Sequence, residues 1–196
     1  QILDAAGWKK GSDGIRAKDG KKLKMVFQTS INAPRQKTQA IIKQAAARAG
    51  IDMELKSVTP SVFFASDPAN PDTYTHFYTD IQMHTTTQTQ PDPELFMNQF
   101  TSREVASKEN KWQGRNITRW RSVEYDKLFR AGETEMDPVK RAALFIRMND
   151  LVIQNVVVIP VCWRPRVAAI SNRLQGANQS GWDSDYWNLH NWHREA

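Results

Sequence analysis

Residues 23–58, LKMVFQTSINAPRQKTQAIIKQAAARAGIDMELKSV, read as strand, helix, strand. Leu23, Met25 and Phe27 alternate with Lys24, Val26 and Gln28, the two-residue period of a strand whose faces meet different surroundings. Asn32 stands where a helix N-cap belongs, and Pro34 falls in the first turn. Ile41, Ile42, Ala45, Ala46 and Ala49 then recur at helical spacing until Gly50 stops the run. Ile51, Met53 and Leu55 alternate with Asp52, Glu54 and Lys56, so a second strand follows almost at once. Two strands joined by a helix pair in parallel through a right-handed crossover, which predicts an α/β fold.

Working outward, Ile2, Leu3, Ala6 and Trp8 read as the last turns of a helix that begins before residue 1 and ends at Gly7. Asp13-Gly14 and Asp19-Gly20 mark turns in a connector that leads into the first strand. Beyond the second strand, Val62 to Phe64 is a short apolar segment, and DPANPDTY (67–74) predicts an irregular loop because its prolines cannot donate to a ladder. Phe77, Ile81 and Met83 predict a further strand over 77–85. Asp92-Pro93-Glu94 starts a helix with Leu95, Phe96 and Phe100 on its apolar face. Ser122 caps a helix presenting Tyr125, Leu128 and Phe129, and Asp137-Pro138 opens another with Leu144, Phe145, Met148, Leu151 and Val152. Two β-branched runs, 156–161 and 167–170, read as buried strands with Pro160 at an edge or end.

Composition sets bounds on this scheme. A chain of 196 residues suits one domain, with or without an appendage, and buries roughly 70% of its unfolded surface. Hydrophobic content of 40% and charged content of 24% are those of a globular protein, while seven tryptophans point to aromatic surfaces around a cleft. The single cysteine, Cys162, forms no internal disulfide, and its apolar neighbours predict a buried, inert thiol. No apolar run reaches the ~20 residues of a membrane span.

The net charge of +6 is local. Residues 1–24 hold seven basic and three acidic residues, and 103–121 hold six and two, a surplus of four in each. Lys9, Lys10, Lys18, Lys21 and Lys22 alternate with Asp13 and Asp19 in a glycine-rich, hairpin-like stretch that reads as a solvated loop. A basic surface module for nucleic acid or anionic membrane is the alternative function class, and it requires the basic residues on one face and a steep salt dependence.

Chemistry-bearing groups are few. Thr85 to Gln90, TTTQTQ, supplies uncharged hydroxyls and amides directly after a strand, groups able to bond a solute at small desolvation cost. Trp120 offers a stacking face, with Asn116 and Arg119 as donors beside it. His76, Asp80 and His84 mimic a metal triad by spacing, but an extended strand would spread its ends about 26 Å apart. No Ser-His-Asp order, phosphate-cradling glycine loop or Cys/His cluster suggests catalysis or a cofactor.

The order of short motifs resembles a known family: Ala5-Ala6-Gly7-Trp8, the Asp-Gly turn, Gly50-Ile51-Asp52-Met53-Glu54-Leu55, Pro91-Asp92-Pro93, Glu124-Tyr125-Asp126, Arg141-Ala142-Ala143-Leu144-Phe145 and Val158-Ile159-Pro160. Together they look like the C-terminal lobe of the extracytoplasmic solute-binding proteins of peptide, nickel and opine (family 5) ABC importers. The resemblance implies a mixed sheet flanked by helices, one lobe of a type II periplasmic-binding-protein-like fold, and a non-catalytic role in capturing a small-molecule solute. It implies as partners an N-terminal lobe of the same protein and a membrane permease, without nucleic acid, in an extracytoplasmic setting, with a lipid anchor as one option for the full-length protein. It places an α/β ligand-binding lobe at 1–171 and a tail at 172–196, carrying Trp182, Trp187 and Trp192, that returns to the other lobe. Peptide-binding members hold a tryptophan and, three residues on, an aspartate that pairs with the peptide ammonium; Thr86 and Thr89 stand there in this chain. A hydroxyl cannot supply that counter-charge, so an ordinary peptide held by its free N-terminus is not the expected solute. The ligand-binding residues expected from loop chemistry and resemblance together are Thr86, Thr87, Gln88, Thr89, Asn116, Arg119 and Trp120, with no cofactor and no metal.

Overall fold

The computed structural model describes residues 1–88, 90–182 and 185–194. Its chain forms two compact units, residues 1–86 with 105–119, and residues 87–104 with 120–196.

The first unit opens with a single helical turn, α1 (Ile2–Ala5), closed by Gly7 at φ +86°. The turn-rich connector is itself a small antiparallel sheet of β1 (Lys9–Lys10), β2 (Arg16–Lys18) and β3 (Lys21–Lys22). Its charges are tied locally: Lys22 pairs with Asp13 at 2.5 Å, and Lys18 Nζ donates to the Ala6 carbonyl at 2.9 Å.

The strand–helix–strand expectation holds. The central strand β4 (Lys24–Ser30) runs into helix α2 (Ala33–Arg48), and β5 (Asp52–Val58) lies parallel to β4 with Met25 opposite Met53 and Phe27 opposite Leu55. The Asn32 side chain accepts from the Arg35 amide at 3.3 Å, the expected cap. Phe27 and Met53 are buried, each such side chain contributing about 1.5–3 kcal/mol of transfer free energy. As the central strand, β4 is covered on both faces at its C-terminal end, where Gln28, Thr29 and Ser30 are also buried. The apolar face expected for α2 is largely uncovered, with Ile41 67% exposed. What seats this helix is polar: buried Gln39 donates through Nε2 to the Phe27 carbonyl at 2.7 Å.

After a short helix α3 (Pro60–Phe63), residues 64–80 wind through turns with Thr73 and His76 buried. The strand expected over 77–85 is only three residues, β6 (Ile81–Met83), parallel to β4 on the side away from β5. Phe77 sits at φ +39°, outside extended geometry, and the Asp80 carboxylate takes the Val26 amide at 2.7 Å in place of a backbone partner. The second segment of this unit adds one parallel bridge between Val105 and Asn116, with Ala106 and Ile117 buried beside it.

The second unit is helical. It contains α4 (Glu94–Met97), followed by single 3-10 turns at Asn98–Phe100 and Ser102–Glu104, then α5 (Val123–Thr134) and α6 (Pro138–Gln154). Both long helices start where capping chemistry places them: Ser122 Oγ accepts from the Tyr125 amide, and Asp137 accepts from Val139 and Lys140. Their apolar faces meet in one core of Met97, Phe100, Tyr125, Phe129, Phe145, Met148, Leu151 and Val152. The Tyr125 hydroxyl donates to the Met97 carbonyl at 2.7 Å, satisfying a phenol whose ionisation burial opposes. Two short strands, β7 (Leu174–Gln175) and β8 (His193–Arg194), pair antiparallel near the end.

The two β-branched runs depart from expectation. Residues 156–161 and 167–170 are neither strands nor buried: Ile159 is 69% exposed, Val167 84% and Trp163 99%. A strand needs a ladder, and among the described residues none lies beside this segment. Cys162, expected to be buried, is exposed for the same reason.

Candidate functional site

The parallel sheet has the order β5–β4–β6, so the chain leaves β4 toward β5 and returns on the opposite side as β6. Such a reversal leaves a crevice beyond the carboxyl ends of the two strands, the usual place for a ligand on an open parallel sheet. Here that position lies between residues 30–35, which end β4 and begin α2, and residues 84–86 after β6.

Several side chains converge there. Arg35 donates from Nη1 to Ser30 Oγ and from Nη2 to Thr85 Oγ1 at 3.3 Å, and its guanidinium lies 5.6 Å from the Phe64 ring centre. His84 packs against Tyr74 with ring centres 5.6 Å apart, and its buried Nδ1 has no hydrogen-bond partner. Burial first, and then the charge of Arg35, lower the pKa of His84 and favour its neutral form. Phe64 stacks edge-on with Phe63 and tilts toward Tyr74, giving an aromatic wall. Thr86, one of the expected ligand residues, is exposed in this extended stretch.

The other expected residues fall in different settings. Thr87 is exposed, and Gln88 is half-buried with its amide donating to the Pro91 carbonyl at 3.3 Å, both in the second unit. Thr89 lies outside the described residues. Asn116 is 1% exposed; its side-chain oxygen accepts from Thr118 Oγ1 at 2.9 Å and its carbonyl from the Ala106 amide at 3.1 Å. Arg119, at φ +58°, donates to the carbonyls of His76 and Phe77 and lies over the rings of Tyr78 and Trp112. Trp120 is half-buried, edge-on to Tyr125 with ring centres 5.3 Å apart. Asn116 and Arg119 therefore brace the 76–78 and 105–118 segments, and Trp120 packs on the helical core.

The apparent metal triad separates into three local tasks. His76 bonds Thr73 Oγ1 at 2.6 Å and lies 3.2 Å from the Pro68 carbonyl, Asp80 caps the Val26 amide, and His84 faces Tyr74. Among the described residues no group of three acidic, histidine or cysteine side chains is placed to hold a metal ion. Sequence reasoning passed over Arg35. Its signal was present: a cation in the first turn of α2, which has no acidic residue, runs against the helix dipole.

Residues 1–108 match the family model of bacterial extracellular solute-binding proteins, family 5, middle region. The chain belongs to this family. Among solved structures, the fold of this family-5 chain is similar to that of the oligopeptide-binding protein from Thermus thermophilus complexed with a pentapeptide, at 24% identity and TM-score 0.66 over 78% of this chain and 27% of that one. AppA from Bacillus subtilis, in complex with a nonapeptide, matches at 20% identity and TM-score 0.71 over 100% of this chain and 36% of its own. NikZ from Campylobacter jejuni, in complex with Ni(L-His), matches at 15% identity and TM-score 0.73 over 98% of this chain and 38% of its own. These likenesses give the fold, one lobe of a type II periplasmic binding protein in which parallel and antiparallel sheets are flanked by helices. This family-5 chain spans well under half the length of each of the three. No curated protein matches it.

Proposed function

We propose that this family-5 chain is one lobe of a two-lobed extracytoplasmic binding protein that captures a small solute for an ABC importer. The observation that carries the proposal is the meeting of hydroxyls and an aromatic wall at the carboxyl ends of β4 and β6, where the strand order reverses, in a chain of solute-binding ancestry. The partners are an N-terminal lobe of the same protein, to which residues 172–196 return, and a membrane permease that accepts the loaded form. The setting is extracytoplasmic and the role non-catalytic.

Thr86, Thr87, Gln88 and, from sequence alone, Thr89 are the residues assigned to the solute. Asn116, Arg119 and Trp120 hold the surrounding framework, because their polar and aromatic groups are engaged within it. The solute is not an ordinary peptide held by its free N-terminus, since Thr86 and Thr89 supply hydroxyls where an ammonium needs a carboxylate. Isothermal titration of the intact protein with dipeptides and tripeptides tests this: no heat is expected, and micromolar binding would overturn it. Mass spectrometry of what co-purifies with the intact protein tests capture itself, and a protein that carries and binds no solute would end the proposal.

A further inference from the structure

Helix α2 rests on the sheet by one stripe and leaves the opposite stripe bare. Gln39 is buried and Arg35, Ile42 and Ala46 are half-buried, at the three- and four-residue spacings of one helix face. Lys37, Ile41, Gln44 and Arg48 repeat those spacings on the far side, all exposed, with exposed Lys43 on the flank.

The bare stripe carries charge of one sign. From Gly20 to Ile51 the sequence holds seven basic residues and no acidic one. A helix that merely faces water mixes both signs, and a glutamate four residues before a lysine or arginine is the favourable pair. Here Gln39 precedes Lys43 by four and Gln44 precedes Arg48 by four, so an uncharged amide stands where each counter-charge would. Among the described residues Lys37, Lys43 and Arg48 take part in no ion pair. Between Lys37 and Arg48 lies Ile41, 67% exposed. At the C-terminal end of the helix the Ala49 carbonyl accepts from Arg16 Nε at 2.8 Å, which seats the small antiparallel sheet, with its exposed Lys9, Lys10 and Lys21, beside it.

We propose that the outward stripe of α2 is a docking surface for the anionic headgroups of a phospholipid membrane. Charge complementarity selects the occupant: ammonium groups on flexible stems suit a diffuse field of phosphates, and no acidic side chain on the helix opposes them. Ile41 separates a lipid surface from other polyanions. A bilayer has an apolar layer beneath its headgroups that receives the isoleucine while the lysine and arginine stems reach back to the phosphates. A nucleic-acid backbone or an acidic protein surface has no such layer. This docking goes beyond solute capture and does not depend on it.

The test is co-sedimentation of the intact protein, free of any lipid modification, with vesicles of phosphatidylcholine alone or with about one-third phosphatidylglycerol. Binding is expected only to the anionic vesicles at about 0.05 M sodium chloride and is expected to vanish near about 0.5 M, where screening shortens the reach of each charge. Each basic residue near such a surface is worth about fivefold in partition, so Lys37→Gln, Lys43→Gln and Arg48→Gln combined should lose about a hundredfold. Lys37→Arg with Lys43→Arg keeps the charges and should bind as wild type does. Ile41→Ser should lose about fivefold on vesicles and nothing on a short DNA duplex of equal charge. These side chains are exposed, so unchanged circular dichroism and an unchanged co-purifying solute are expected in every variant. Equal binding to neutral and anionic vesicles, or undiminished binding by the triple variant, would overturn the proposal. Indifference of vesicle binding to Ile41→Ser would overturn it in favour of a soluble polyanion.

Discussion

Gly50 and Val156 perform the same task at the ends of two different helices. After α2, Gly50 at φ +84° donates to the Ala47 carbonyl at 3.0 Å, and Ile51 reaches back to Ala46 at 2.9 Å. After α6, Val156 at φ +54° donates to Ile153 at 3.0 Å, and Val157 to Val152 at 3.0 Å. Each is the left-handed residue of a Schellman motif, a position that glycine fills without strain and a β-branched residue does not. The second motif gains a compensating contact, because Val157 packs against the core of the helical unit.

Val156→Gly is therefore expected to stabilise the chain. Val156 is 63% exposed, so little apolar burial is lost, while relief of the left-handed conformation returns about 1 kcal/mol. A urea titration read by circular dichroism should show a higher midpoint with an unchanged slope. A lower midpoint would mean that the valine side chain contributes packing that outweighs its backbone strain.

Gly50→Ala has the opposite sign. The added Cβ would meet the Arg16 side chain at 2.8 Å and the Gly14 carbonyl at 3.1 Å, in a backbone conformation that alanine already resists. The Gly50 carbonyl also accepts the Arg16 amide at 2.7 Å, so any shift is passed to the small antiparallel sheet. The expected loss is about 1–3 kcal/mol, measured by the same titration, and a change below about 0.5 kcal/mol would show that the turn relaxes freely.

These motifs also show where sequence was sufficient. Asn32, Ser122, Asp137 and Gly50 act on their immediate neighbours, so helix starts and one helix end follow from local chemistry. The parallel pairing of β4 and β5 was legible because a short helix-containing connection permits little else. The runs at 156–161 and 167–170 misled because β-branched residues record a preference for a ladder, and a ladder is a property of the partner strand. At the site, the polar loop after β6 was visible as composition, but the meeting of Arg35 with Thr85, separated by 50 residues, depends on strand order. Asn116 and Arg119 are legible in sequence as polar groups, but a sequence does not reveal their partners within the fold, here Thr118 for Asn116 and the His76 and Phe77 carbonyls for Arg119.

Asp92 gives a pH-dependent expectation. Arg141 bonds both of its carboxylate oxygens, at 2.6 and 3.1 Å, and this pairing first, then the Glu94 amide, holds the Asp92 pKa below its ordinary 3.8. A depressed folded-state pKa contributes stability that is present above the unfolded value and is lost as the pH falls through the folded one. Asn at this position keeps the acceptor for the Glu94 amide at 2.9 Å but loses the charge. Asp92→Asn should thus melt below wild type at about pH 6, and the gap should close toward about pH 2. A gap of constant size across that range would assign the effect to the cap alone.

The exposed segment after α6 can be followed residue by residue. Among the described residues no strand pairs with Val158 to Trp163, whose side chains include Trp163 and Cys162, both open to solvent. Backbone amides without partners exchange at the rate of an unstructured peptide, whereas those of 145–152, within α6 and beside buried Phe145, Met148, Leu151 and Val152, exchange only when the helical core opens. Hydrogen exchange of the 196-residue chain should therefore show full deuteration of 158–163 at the earliest time point, with strong protection of 145–152. The Cys162 thiol should react with a disulfide reagent as fast in the folded chain as in urea. In the intact protein, where the proposed N-terminal lobe supplies the neighbour that this β-branched run prefers, both readouts should slow. Rapid exchange and labelling there as well would mean that the run stays uncovered in the assembled binding protein.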